Sequence, residues 1–240
     1  MSKRSISRYS LLAITFAVHS IFGCSQNEHK PSNSGVEINT DDSSVSETEE
    51  ISSHDKISLD EFKALIGRGT WESKKCFLYD GEKGLYQRRI YEFKDNKKYW
   101  TGTLFSDPNC QTTIIRSHIW EETYALGRFA DYLNVPKAFE IDTVLISIKM
   151  VLHTQEQVDE FNAQSSFGYS DWVLGQPKDI SGRKMLPSTP AGVSAAGTIG
   201  FDVIAIVDGY MTFGNWKSGD GSSAVTRPKE LLTDVVYTEK

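Results

Sequence analysis

The chain is poor in the residues that build metal and catalytic centres. Its 240 residues hold three cysteines and five histidines, and beyond residue 56 only His118 and His153 remain. No His-x-x-x-His or Cys-x-x-Cys spacing occurs. A zinc site would need both histidines and a carboxylate gathered by folding, so structural or exposed histidines are the simpler expectation, and no metal or cofactor is expected. Positive charge is also scarce, with 26 Lys and Arg against 32 Asp and Glu. No basic run could follow a phosphate backbone, which excludes duplex nucleic acid as a partner. Nor does the sequence offer an apolar run of the ~20 residues a membrane-spanning helix needs. The N-terminal run from Tyr9 to Phe22 has 14, broken by Ser10, Thr15, His19 and Ser20.

That short run is informative for what surrounds it. Lys3, Arg4 and Arg8 precede it and Gly23-Cys24 follows, which are the parts of a secretory signal with a cysteine at the cleavage point. Residues 25–56 then carry eight acids against Lys30 and Lys56, with no aromatic side chain. Such a segment cannot repay its ordering entropy and reads as a tether. Fully stretched, its 32 residues would reach about 100 Å. The expected organisation is therefore a signal peptide at 1–23, a tether at 24–56 and one domain at 57–240.

Ile21-Phe22-Gly23-Cys24 resembles the lipobox of bacterial lipoproteins. The resemblance implies that Cys24 becomes the lipid-modified first residue, anchoring the protein to a membrane of the bacterial envelope. Ser25, where an Asp would retain a lipoprotein in the inner membrane, points by the same analogy to the outer membrane. With Cys24 assigned to lipid, Cys76 and Cys110 remain as a pair in an oxidising compartment; two buried thiols are the alternative. A bridge between them would contribute roughly 3–4 kcal/mol on the chain-entropy argument.

The domain reads as mainly β. Ser58 and Glu61 match a capping box for a helix over about 59–66 that stops at Gly67. Tyr86 to Phe93 alternates, turns at Asp95-Asn96-Lys97, and returns as Tyr99 to Phe105. Thr112 to Leu126 is another strand, with Ile114, Trp120, Tyr124 and Leu126 on one face, although Arg116, His118 and Glu122 share it. Phe139 to Leu152 places Val144, Ile146, Ile148, Met150 and Leu152 in strict alternation. Asp208-Gly209 between apolar runs predicts a type I′ hairpin. Thr154 opens a second helix, about 155–163. Residues 175–200 read as a long loop, either mobile or functional. About eight strands joined by short turns predict a closed antiparallel barrel, with a β-sandwich as the alternative.

Gly69-x-Trp71 on the first strand, behind a capped helix, resembles the opening of the lipocalin superfamily. The stretch from Gly219 to Pro228 and on to the end, with the Cys76 and Cys110 pair, is similar to lipocalin-like lipoproteins of Gram-negative bacteria. The resemblance implies that Trp71 plugs the closed end of a calycin-type barrel whose open end takes a small apolar ligand. One departure is the helix at 155–163, which falls between strands rather than after the last.

Candidate chemistry is thin. Gly192-Val193-Ser194-Ala195-Ala196 is close to a nucleophile elbow, but Pro187 and Pro190 precede it where a strand is required. The Gly-rich stretch from Gly214 to Ser223 could cradle an anion or calcium beside Asp220, though a turn accounts for it. Glu121 and Glu122 fall on opposite strand faces and cannot pair as acid and base. Aromatic rings remain, and Trp100, Trp120, Tyr124 and Trp172 are the candidates to line a ligand cup. The sequence thus predicts a monomeric, non-enzymatic binding module for a small apolar ligand. The alternatives are a solid barrel whose loops at 175–200 and 214–223 contact an envelope protein, and a hydrolase using His118 or His153.

Overall fold

The computed structural model describes residues 56–240 apart from 82 and 191. The expected signal peptide, the lipidation point Cys24 and the tether up to residue 55 lie outside the described residues. Ten strands and two α-helices follow in the order α1 (Leu59–Ile66), β1 (Thr70–Ser73), β2 (Phe77–Asp80), β3 (Leu85–Lys94), β4 (Lys97–Phe105), β5 (Ile114–Phe129), β6 (Ala138–Leu152), α2 (Gln155–Ala163), β7 (Lys178–Asp179), β8 (Ile199–Val207), β9 (Tyr210–Phe213) and β10 (Tyr237–Glu239). Every pairing is antiparallel, and β1 pairs with both β3 and β10. That double pairing closes β1, β3, β4, β5, β6, β8, β9 and β10 into an eight-stranded barrel and excludes a two-sheet sandwich. β2 and β7 pair outside the ring, with β3 and β6.

Local signals place the elements. Ser58 Oγ accepts from the Glu61 N–H at 3.2 Å and the Glu61 carboxylate accepts from the Ser58 N–H at 2.8 Å, a complete capping box. Asp95 and Asn96 both have positive φ, as do Asp208 and Gly209, so each pair forms the two-residue turn whose twist matches its hairpin. The first turn joins β3 to β4, the second β8 to β9.

α1 closes one end. Phe62 and Ile66 are fully buried against Trp71, Phe139 and Ile204, and Trp71 Nε1 donates to the Ile66 carbonyl at 2.9 Å. That bond satisfies one of the carbonyls a helix leaves open at its C-terminus. Cys76 and Cys110 form a disulfide that ties the start of β2 to the β4–β5 loop.

Two expectations change. Glu121 pairs with Ser147 and Glu122 with Leu145, so Ile146 bulges out of register. Val144 and Ile146 are consequently exposed, at 39% and 37%, while Thr143 and Leu145 face in; above the bulge Ile148, Met150 and Leu152 take the interior. Strict alternation fails because one extra residue reverses the pleat. The segment from 175 to 200 is not structureless either. With α2 it folds back over the other end of the barrel, where Phe161, Phe167, Trp172, Ile180 and Met185 pack on Ile148, Met150 and Leu152. The Trp172 indole donates to the Ser166 carbonyl, and Asn162 bonds both the N–H and the C=O of Trp172.

Because Trp71 joins α1, β1 and the barrel floor, Trp71→Ala should cost about 3–5 kcal/mol of stability in urea titrations. A loss below 1 kcal/mol would mean the floor holds without it.

Candidate functional site

Closure commits alternate residues of each strand to the lumen. Register then stacks them in layers. Phe93, Lys98 and Glu122 share one, Tyr91, Trp100, Trp120 and Ile148 the next above, then Arg89, Gly102, His118 and Met150, and at the top Gln87, Leu104, Arg116 and Leu152. Asp202 joins from β8, opposite Ile141. Six acidic or basic side chains, Arg89, Lys98, Arg116, His118, Glu122 and Asp202, are therefore turned inward on the strands of a small barrel, in a setting where aliphatic side chains would cost nothing to desolvate.

These groups are held by specific contacts. Lys98 Nζ lies 2.7 Å from Glu122 Oε2, each side chain about a tenth exposed, at 11% and 10%. Asp202 Oδ1 accepts from the N–H of Val203 at 2.7 Å and of Gly214 at 3.1 Å. A Cβ at position 214 would meet that oxygen at 2.5 Å, so glycine is required for the approach. Desolvation pushes the Asp202 carboxyl up to about 7, against the opposing pull of these donors, Lys98 and Arg227. His118 is pushed down to about 3 by desolvation and then by the Arg116 charge, so it is a neutral imidazole at physiological pH. Gly102 gives its place in the layer to neighbouring side chains: a Cβ there would meet Gln87 Nε2 at 2.7 Å and Trp100 Cζ3 at 2.9 Å.

The middle layers are not sealed. Arg89, Trp100, His118, Trp120 and Asp202 point inward from deep positions and still keep partial solvent accessibility. Phe62, Ile66 and Trp71 below are at most 1% exposed, and Phe161, Phe167 and Trp172 above at most 5%. Between two dry cores, these aromatic and polar groups are therefore the least closely covered part of the interior.

Of the four aromatic candidates, Trp100 and Trp120 meet in this region, stacked with centroids 4.9 Å apart. Tyr124 lies lower, edge-on to Phe93 at 5.3 Å. Trp172 belongs to the cap, 2% exposed. His118 and His153 do not meet: His118 faces the lumen, whereas His153 Nε2 is 2.9 Å from the hydroxyl of Ser117, on the opposite face of β5. Glu121 likewise pairs outward with Lys97 at 2.6 Å while Glu122 points in. The Ser194 carbonyl accepts from Gly182 and a turn follows, without the helix an elbow needs. Asp220 is occupied by Ser222, whose N–H and hydroxyl it accepts at 3.0 and 2.8 Å. Arg89, Lys98 and Asp202 were not sequence candidates; inward charges within Arg89-x-Tyr91-x-Phe93 and Lys98-x-Trp100 are the signal that marks the first two.

No protein-family model and no curated protein sequence matches this chain. Its function is read from the chemistry of the lumen.

A raised carboxyl has a measurable sign. Between about 3.9, the unfolded value, and about 7, the folded protein holds a proton on Asp202 that the unfolded chain has released. Stability should therefore fall as pH rises through that window. Asp202→Asn keeps the accepting oxygen and should flatten the fall, read as urea midpoints at pH 5 and pH 8. An unchanged slope would place the proton elsewhere.

Proposed function

We propose that this protein is a lipid-anchored lipoprotein of the bacterial envelope, set in the outer membrane through Cys24, whose barrel binds a small amphiphilic molecule in its lumen. The accessible Trp100–Trp120 layer carries the reading. Stacked indoles offer an apolar wall, and the polar groups around them supply the few directed contacts that orient a ligand. This sharpens the purely apolar ligand that the lipocalin resemblance implies, because an apolar molecule would take solvent from Arg89, His118 and Asp202 without offering them a polar contact in return. The acidic segment up to residue 56 acts as the spacer between lipid and barrel. At its end, the Lys56 ammonium pairs with Asp131 and lies 4.6 Å from the Phe129 ring.

One observation favours the second reading, a module that contacts an envelope protein. Val144 and Ile199 are paired neighbours on the outside of the barrel, and with Ile146 they are 37–50% exposed. Such a strip is small for an interface, so the lumen remains the better-supported site.

Native mass spectrometry of the full chain extracted from its host envelope should reveal a bound small molecule. His118→Trp, which fills the layer above Trp120, should remove it while the circular dichroism spectrum stays unchanged. Wild-type protein free of any adduct, with no uptake of an added hydrophobic dye, would refute the lumenal reading.

A further inference from the structure

Among the described residues, Arg89 is a lumenal cation whose charge no carboxylate meets at ion-pair distance. Lys98 is neutralised by Glu122 at 2.7 Å, and Arg227, buried against the outside of β6 and β8, reaches Asp142 and, at 3.8 Å, Glu140. Arg88, next in sequence but facing outward, pairs with Glu72 at 3.4 Å. Arg116, two layers from the Trp stack, has Glu160 and Asp80 within electrostatic reach.

Its surroundings are neutral donors, acceptors and rings. Nε donates to Gln87 Oε1 at 2.6 Å. Tyr91 and Tyr237 stand beside the guanidinium, and their rings meet edge to face at 4.9 Å. Phe77 and Trp100 flank the guanidinium carbon at 4.9 and 5.4 Å. A planar cation held by Gln87 and two rings has its remaining N–H groups aimed in fixed directions, and each tyrosine hydroxyl can accept from it and donate onward. A desolvated cation without a counter-charge is costly, and an anion is the group that removes the cost.

A groove of about 320 Å³ lies between residues 73–77 and 233–236, with Ser73 and Phe77, two neighbours of Arg89, in its wall. The Arg89 N–H donates to Ser73 Oγ at 3.1 Å and its guanidinium lies over the Phe77 ring. Lys74 and Lys75 stand on the rim of the same groove.

We infer that Arg89, with Tyr91 and Tyr237, is the anchor for an anionic oxyacid group, a carboxylate or phosphate, carried by the molecule that occupies the lumen. The inference rests on the lumenal reading above: Trp100 and Trp120 take the apolar body and Arg89 takes the head. Lys98, neutralised by Glu122, leaves Arg89 as the position that selects charge.

The test uses the full-length protein and two fluorescent probes, 11-(dansylamino)undecanoic acid and its methyl ester. Wild type should bind the acid at least about 10-fold tighter than the ester, the discrimination expected of charge-assisted hydrogen bonds. Arg89→Gln should remove that preference, weakening the acid by about 10-fold and leaving the ester within about twofold. Sodium phosphate at millimolar concentration is the competitor that separates sources: displacement of the acid probe identifies a site for the free anion, and displacement only by long-chain carboxylates identifies an amphiphile. Equal binding of acid and ester by wild type would overturn the anionic head whether or not Arg89→Gln folds. If both probes bind equally and His118→Trp expels them, the lumenal function survives without it. If neither probe binds, the lumenal function itself fails.

Discussion

The structure depends on β1 pairing along both edges. Three residues, Thr70 to Glu72, bond to β3, and Trp71 to Ser73 bond to β10, and this narrow seam converts a meander into a barrel. Closure removes free sheet edges and, more consequentially, creates an inside. Once there is an inside, alternate residues of each strand are committed to it, including the charged ones. α1 and Trp71 are then needed at one end and α2 with residues 164–198 at the other, since an eight-stranded barrel is wide enough to hold side chains and a small ligand.

A charged lumen is an expensive way to fill a barrel. Lys98 and Glu122 compensate each other, and Asp202 is eased by two backbone donors and by taking up a proton. Those arrangements resemble any satisfied buried polar network, which adds specificity to a fold while contributing little net stability. Arg89 differs in having only neutral partners among the described residues. The same interior thus contains groups whose charges are compensated within the protein and, in Arg89, one held by neutral partners among the described residues.

The legible part of this architecture was local. Ser58 and Glu61, Asp95-Asn96 and Asp208-Gly209 act through bonds and dihedrals spanning a few residues, and each formed as its own chemistry requires. Trp71 was legible from Gly69-x-Trp71 as a floor residue, and it is 1% exposed there. The face shared by Arg116, His118, Trp120 and Glu122 was visible as a conflict in β5; the structure resolves it by making that face the lumen. The bulge at Ile146 was not visible, because Val144, Ile146 and Ile148 fit a strand equally well in either phase. Nor was the cap: Ile180 and Met185 stand among prolines and glycines, and only the surface left uncovered at Ile148 and Met150 recruits them.

The sequence by itself determined the element types, the turn chemistry and the availability of Cys76 and Cys110 for a bridge, since these depend on neighbours in the chain or on scarcity. Tertiary structure alone decided which strands meet at the seam, where the pleat reverses, that Trp172 closes the cap instead of lining the lumen, and that Arg89 lies beside Tyr237, 148 positions away in the chain. The physical reason is that burial and charge compensation are properties of pairs distant in sequence. A strand carries its own alternation, but its partner determines whether an inward arginine finds a carboxylate.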